Sequence, residues 1–278
     1  MMTPEDMKYV AAEAHRIAGL AIRPNQACLV EHRLAPLARA EGFETISAML
    51  GSIRRDADPR LAKAAVESLA CRESWFFRDR KPFDSFRQDI LPVLARARGT
   101  ERKIRIWCAG AGNGQEAYSL AMILEEEAER LGDIAVEIVA TDFCARAIDR
   151  GRAGAFSQFD VQRGLSIQRL IHHFEQSGKD WRISAGIRRR VDFQQHNLLD
   201  ASAALGMFDM ILCRNVISAM TPDARKTVLT RLGRHLADDG YLILGEGETA
   251  AGAVDMFRSV RGKRGLYEKA AGDIAQAA

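Results

Sequence analysis

The stretch Ile104-Arg105-Ile106-Trp107-Cys108-Ala109-Gly110-Ala111-Gly112-Asn113-Gly114-Gln115-Glu116 decides how the fold is read. Its first six residues form a short strand-like run, and the glycines at 110, 112 and 114 make a tight turn. Helical periodicity then runs from Gln115 to about Leu131, and Gly132 ends it. The same alternation repeats downstream. Strands are predicted at Val136–Ala140, which ends on Thr141-Asp142, and at Arg190–Phe193, Phe208–Cys213 and Tyr241–Gly245. Thr221 caps a helix with Pro222 at its first position, running to about Leu236. Asp239-Gly240 and Lys263-Arg264-Gly265 read as turns, the second leading into Leu266-Tyr267-Glu268. Short apolar strands alternating with helices predict an α/β fold with a mostly parallel sheet and helices on both faces. One interval breaks the rhythm. Residues 152–190 are too long for a simple crossover and hold Phe156, Phe159, Phe174 and Trp181-Arg182-Ile183-Ser184. An inserted subdomain of helix and short antiparallel strands is expected there.

Upstream the pattern is helical. Apolar residues recur at helical spacing in three groups: Val10, Ala14, Ile17; Leu29, Leu34, Leu37; and Ile46, Met49, Leu50, Ile53. Thr3-Pro4-Glu5-Asp6 is a helix start, Gly19 and Gly42 are stops, and Asp58-Pro59 turns into a further helix over 60–69. The expected division is an all-helical N-terminal domain over 1–70 and an α/β domain over 71–278.

Composition narrows the class. The chain has 278 residues, 47% hydrophobic and 28% charged, an ordinary globular balance. No apolar run approaches the roughly 18 residues of a membrane span. The start MMTPEDMKYV lacks the marks of a signal peptide, so a cytoplasmic protein without membrane insertion is expected. The cysteines at 28, 71, 108, 144 and 213 are scattered without a CxxC pair, which argues against a disulfide framework or structural zinc. His172 and His173 are adjacent, and neighbours on a helix point apart, so no metal site is expected. The net charge of +3 makes no case for nucleic acid. Residues 71–105 do carry ten Lys/Arg against five Asp/Glu, which suits either a solvated helical face or steering of an acidic partner. Arg188-Arg189-Arg190 has the same two readings.

The glycine loop indicates a ligand class. Strand, glycine turn and helix form a nucleotide-type site at the carboxyl edge of a parallel sheet. Here the loop has neither the G-x-G-x-x-G spacing nor the Lys-Ser/Thr of a phosphate-binding loop. It contains no basic residue, and Glu116 sits at the helix start. Asp142, ending the second strand, is placed to accept hydrogen bonds from a ribose diol. A cationic ribonucleoside fits this set, and S-adenosylmethionine (SAM) is one.

Five segments, in order, resemble the CheR-type chemotaxis receptor methyltransferases. They are Arg72-Glu73-Ser74-Trp75-Phe76-Phe77-Arg78-Asp79; Ile106 to Leu120 around the glycine loop; Ala140-Thr141-Asp142; Asn197-Leu198-Leu199; and Phe208-Asp209-Met210-Ile211-Leu212-Cys213-Arg214-Asn215-Val216. The resemblance spans essentially the whole chain. It implies a Rossmann-like SAM-dependent methyltransferase domain that converts SAM to S-adenosylhomocysteine, with residues 152–190 as the small β-subdomain. It also implies methylation of glutamate side chains on the cytoplasmic helices of a chemoreceptor, and a monomer. Carried over by position, Arg72, Ser74, Arg78, Glu116, Asp142, Asn197, Leu198, Arg214 and Asn215 fall at the cofactor, with Arg78 the catalytic candidate. A nucleic-acid methyltransferase is disfavoured, since Cys213-Arg214-Asn215-Val216 lacks the prolines and aromatic of an N/D-P-P-Y/F segment.

Two positions depart from the family pattern. Arg72 stands where an asparagine is usual, and Ala219 where a tyrosine near the transferred methyl is usual. Both changes predict weaker catalysis and leave an alternative open: a divergent paralogue that binds SAM or its product and acts as a regulator or scaffold.

Overall fold

The structure, a computed structural model, describes residues 2–71, 73–201 and 203–270. The N-terminal region is built from α1 (Pro4–Ala18), α2 (Ala27–Ala40), α3 (Ile46–Asp56) and α4 (Pro59–Ala70). Each of α1, α3 and α4 begins on a residue whose side chain accepts a backbone N–H: Thr3, Thr45 and Asp58. Val10, Ala14, Leu34, Met49, Leu50 and Val66 interdigitate to give this region its own apolar core.

Next come α5 (Lys81–Ser85), a π-helical turn over Phe86–Ile90 and α6 (Leu91–Ala97). The sheet begins with β1 (Lys103–Ala109), then α7 (Gln115–Glu126), α8 (Ala128–Leu131), β2 (Ala135–Asp142) and α9 (Ala145–Ala153). The insert follows as β3 (Ala155–Ser157), α10 (Gln158–Gln162), α11 (Ile167–His173), β4 (Phe174–Ser177), β5 (Asp180–Ile183) and α12 (Ala185–Arg188). The main sheet resumes with β6 (Val191–Gln195), β7 (Phe208–Cys213), α13 (Pro222–His235), β8 (Leu236–Leu244), β9 (Phe257–Ser259) and β10 (Leu266–Lys269).

Seven strands lie in the order β6-β2-β1-β7-β8-β10-β9. The first five are parallel, while β10 runs antiparallel to both β8 and β9. The reversal in strand order lies between β1 and β7, the crevice where such sheets bind ligands. The insert forms a separate antiparallel sheet, β3-β5-β4. Its Phe156 and Phe174 pack edge-on against Phe76, with centroids 4.9 and 5.5 Å away. The Trp75-Phe76-Phe77 segment is therefore anchored on the insert. Phe76 is fully buried there, and Trp75 lies between the guanidinium groups of Arg78 and Arg163.

Two differences concern helix and strand ends. The helix after the glycine loop breaks at Glu127, whose buried carboxylate binds Arg87 and Arg130. Asp239-Gly240, expected as a turn, falls within β8. Strand β8 pairs Leu236 with Phe208 and then Tyr241 with Met210, so residues 237–240 bulge between the two pairings. A Cβ on Gly240 would meet the Asp209 carbonyl at 2.9 Å.

The helical region docks on the sheet's carboxyl edge through backbone contacts. Ala21 N–H donates to the Ala219 carbonyl (2.8 Å) and Thr221 N–H to the Gly19 carbonyl (2.9 Å). Gly19 has φ +64°, and a Cβ there would lie 2.4 Å from Ala224 Cβ. Gly19→Ala should cost about 2–4 kcal/mol, combining left-handed strain with a steric clash at the seam. Guanidinium unfolding would register this as a lower midpoint, and an unchanged midpoint would contradict the docking geometry.

Candidate cofactor site

The glycine turn is held against the end of β2. Gly110 N–H and Ala111 N–H both donate to the Thr141 carbonyl, at 2.8 and 2.9 Å. Gly110 has φ +79°, and any Cβ there would meet Val216 Cγ2 at 2.4 Å, so the loops after β1 and β7 touch only because residue 110 is glycine. Asp142 accepts from Gly112 N–H and from Cys144 N–H, each at 2.8 Å. Its carboxylate thus fixes the turn while standing in the wall of a cleft.

That cleft, about 880 Å³ including its mouth, lies over the strand-order reversal. It brings together Ser74, Arg78, Glu116, Asp142, Asn197, Leu198, Arg214 and Asn215, which the sequence placed at one site. Arg72, the remaining candidate, lies outside the described residues.

At one end of the cleft sits a buried cluster of charges. The Arg214 side chain is completely buried, pairs with Glu116 and reaches Asp79 at 2.5 Å. Burial raises the Glu116 pKa, and the guanidinium of Arg214 pulls against that rise. Glu116 is therefore not a free acid facing the cleft, as its place beside the glycine loop suggested. Arg78 lies on the Trp75 ring, 4.2 Å from the centroid, and donates from Nη1 to the Glu73 carbonyl at 3.1 Å. The Nε atoms of Arg78 and Arg214 and the Oε1 of Gln115 are buried without a hydrogen-bond partner. Unsatisfied charged donors lining a cleft mark a place where a polar ligand completes the bonding.

The segment carrying Arg78 is strained. Phe77, Asp79 and Arg80 all have positive φ, at 50°, 66° and 48°. Helix α7 holds it: Ser119 Oγ accepts from Phe77 N–H at 2.9 Å and donates to the Gln115 carbonyl at 2.7 Å.

The other end of the cleft is built jointly with the helical region. Ala18, Leu20 and Ala70 face Phe143, Ala147, His196, Leu198 and Met220. Asn197 Nδ2 donates to the Ile17 carbonyl at 2.7 Å, so this residue ties the two regions together as well as lining the cleft. Burial holds the His196 pKa below the ordinary imidazole value. Ala219 does not line the cleft. It packs on the helical core, and its neighbour Met220 takes the lining position.

Sequence reading missed Ala18 and Leu20, whose apolar spacing marked them only as helix and turn. It also missed Glu248. That carboxylate is buried and accepts from Asn215 N–H (2.7 Å), Ser218 N–H (2.8 Å) and Gly245 N–H (2.9 Å), holding the loop after β7. Its signal was an acid in the glycine-bearing turn just past the carboxyl end of β8, the edge where ligands bind.

Away from the cleft, the adjacent histidines did not diverge as expected. Ligand atoms of Glu125, His172 and His173 lie within 4.8 Å of one another. His173 is the last residue of α11, where the chain leaves helical geometry for β4. None of the three lines the cleft.

A family profile described as the CheR methyltransferase SAM-binding domain matches residues 72–266. The chain belongs to the CheR methyltransferase family. It is 34% identical to chemotaxis protein methyltransferase 1 of Pseudomonas aeruginosa over 92% of this chain and 94% of that one. It is 35% identical to the Vibrio cholerae protein of the same name, over 90% of this chain and 91% of that one. The chemotaxis protein methyltransferase of Vibrio anguillarum gives 35% over the same shares. The cofactor of the CheR domain is SAM, and the cleft's acids, unsatisfied guanidinium nitrogens and apolar far wall fit its amino-acid, ribose and adenine parts.

Arg214→Ala should cost about 3–5 kcal/mol, because it strands Glu116 as a buried unpaired charge. Without Arg214 the Glu116 pKa rises further above its unfolded value. The folded form then binds the proton more tightly, so the deficit is small in acid and grows as pH rises through the raised pKa. Denaturant titrations at several pH values check both size and sign.

Proposed function

We propose that this family member transfers the SAM methyl group to glutamate side chains on the cytoplasmic helices of a chemoreceptor, forming methyl esters. The observation that carries the reading is that Arg78 and Arg214 both line the cleft with a buried Nε that makes no hydrogen bond. A carboxylate is a strong acceptor for guanidinium N–H donors, and the proposed substrate supplies one.

When bound, SAM supplies an electrophilic methyl group on a sulfonium. A glutamate acceptor with an ordinary pKa of about 4.3 is ionised at neutral pH and needs no base. The chain has to align it and exclude water. Arg78 is assigned the catalytic place, orienting a carboxylate through its guanidinium N–H groups. Arg214 holds Glu116 and Asp79 in place, which fixes the Arg78 segment. Asp142 is assigned the ribose hydroxyls through its remaining lone pairs. Asn197 and Leu198 are assigned the adenine, while Ser74, Glu116 and Asn215 complete the amino-acid end. Ala18, Leu20 and Met220 keep the opposite wall apolar.

Receptor-containing membranes of the source cell, incubated with the protein and labelled SAM, should acquire base-labile methyl ester. Arg78→Ala should lower transfer about 10- to 150-fold, the value of a charge-assisted hydrogen bond of about 1.5–3 kcal/mol. Asp142→Ala should act mainly on the KM for SAM. No ester from a folded, SAM-binding protein would favour the alternative, a regulatory or scaffolding paralogue. Restoration by Ala219→Tyr would then trace the loss to the absent tyrosine.

A further inference from the structure

The end of α11, in the insert, meets the end of α7 in a group of three metal-ligating side chains. A ring nitrogen of His172, a ring nitrogen of His173 and a carboxylate oxygen of Glu125 lie within 4.8 Å of one another. His172 Nε2 stands 4.0 Å from Glu125 Oε1. The two imidazole rings sit edge to face, with centroids 4.7 Å apart. Neighbours inside a regular helix point about 100° apart. Here His173 is the last residue of α11 and Phe174 is already extended, at φ −129° and ψ 150°.

Two further observations single the group out. His173 is 2% exposed, and its Nδ1 is buried without a hydrogen-bond partner. A buried nitrogen in that state lacks the partner that buried polar atoms ordinarily have. The adjacent acid, Glu126, is already engaged: it accepts from Arg169 at 2.7 and 2.9 Å and from Arg87 at 3.2 Å. Those bonds also hold the nearby positive charges away from the histidines. Glu125 pairs with no arginine or lysine among the described residues.

We infer that Glu125, His172 and His173 bind a divalent transition-metal ion of the zinc type, outside the cofactor cleft. Two imidazole nitrogens and one carboxylate oxygen suit zinc, whereas magnesium and calcium take oxygen ligands. Tetrahedral zinc with bonds of about 2.0–2.1 Å sets its ligand atoms about 3.3 Å apart, so a closure of about 1.5 Å is needed. The His172 and Glu125 side chains are 72% and 37% exposed and can rotate to make it, while buried His173 stays fixed. Three protein ligands leave the fourth position to water, and the exposed side of His172 is the way in. The bound ion ties the insert to α7. The His173 carbonyl accepts from Ser184 N–H at 2.7 Å, and the next residue, Phe174, packs on Phe76. The ion therefore braces the insert where it supports the segment carrying Arg78.

The test uses the full chain, stripped with EDTA and titrated with zinc chloride at neutral pH by calorimetry. One zinc ion per chain should bind, and magnesium chloride should not. Glu125→Gln and His172→Ala, both at solvent-accessible positions, should each weaken zinc binding at least about 10- to 100-fold, the loss that even a ligand's supporting contact carries. Zinc should also raise the unfolding midpoint of the unmodified chain and leave those of the two variants unmoved. A further measurement needs no variant. Diethyl pyrocarbonate should modify His172 in the stripped chain and spare it once zinc is bound. Absence of zinc binding, equal binding of magnesium, or zinc affinity unchanged in both variants would each overturn the inference. The last would place the ion elsewhere, at exposed Cys28 or Cys71 for example. Protection of His15 or His32 in place of His172 would overturn it as well.

Discussion

The buried guanidinium of Arg214 is the constraint on which the site depends. It comes from the end of β7, and its partners come from the start of α7 and from the segment before α5. A charge removed from water this completely is tolerable only with close counter-charges and hydrogen bonds. Glu116 and Asp79 supply them, so three chain segments far apart in sequence are held at one point. The positive φ values at Phe77, Asp79 and Arg80 are a consequence. Strain of about 1–3 kcal/mol per residue persists only where surrounding contacts over-determine the backbone. Here those contacts are the Asp79–Arg214 pair, the Ser119 bond to Phe77 N–H and the Phe77–Phe83 ring contact at 5.3 Å. The strain places Arg78 on Trp75 with Nε turned into protein rather than solvent.

The cleft's second dependence is on the helical region. Leu20, Ala18 and Ala70 form one wall, and the wall's position is set by Asn197 Nδ2 on the Ile17 carbonyl and by the Ala21–Ala219 and Gly19–Thr221 backbone pairs. A ligand that fills the cleft touches both regions, so it binds the docked form and stabilises it by mass action. The same coupling gives the seam leverage over the cleft. Contacts at Phe143 and Asn197 act on docking and on ligand fit together.

Much of this was legible in the sequence, for physical reasons. Strands β1, β2 and β7 are covered on both faces and so read as short apolar runs. The caps at Thr3, Thr221 and Asp58 are local chemistry, visible in a few residues. Eight of the residues named from the sequence line one cleft, because parallel strands all present their carboxyl ends to one edge. What stayed hidden depended on tertiary partners. Strand β9 is three residues long with only Phe257 buried, and its pairing with β10 has no local signature. The segment over α5, the π-helical turn and α6 read only as a basic stretch. Two of its arginines are in fact structural: Arg87 binds Glu126 and Glu127, and Arg98 binds Asp209 and Asp239. The role of Glu248 needs the left-handed Asn215 to turn its N–H inward, which no pattern of residue types announces.

Glu116 shows what kind of chemistry this arrangement is built for. A buried acid with a raised pKa, next to a cofactor cleft, would ordinarily be a candidate general base or acid. Its ion pair with fully buried Arg214 works against that role, because protonating Glu116 would take away one of the two counter-charges of that guanidinium. Asp142 is likewise committed, to two backbone N–H groups that hold the glycine turn. The site's ionisable groups are thus spent on shape. The proposed transfer to a carboxylate is compatible with this, because such an acceptor is already ionised and the barrier lies in alignment and desolvation. Arg78 lines the same cleft, held on Trp75 by the strained segment around it.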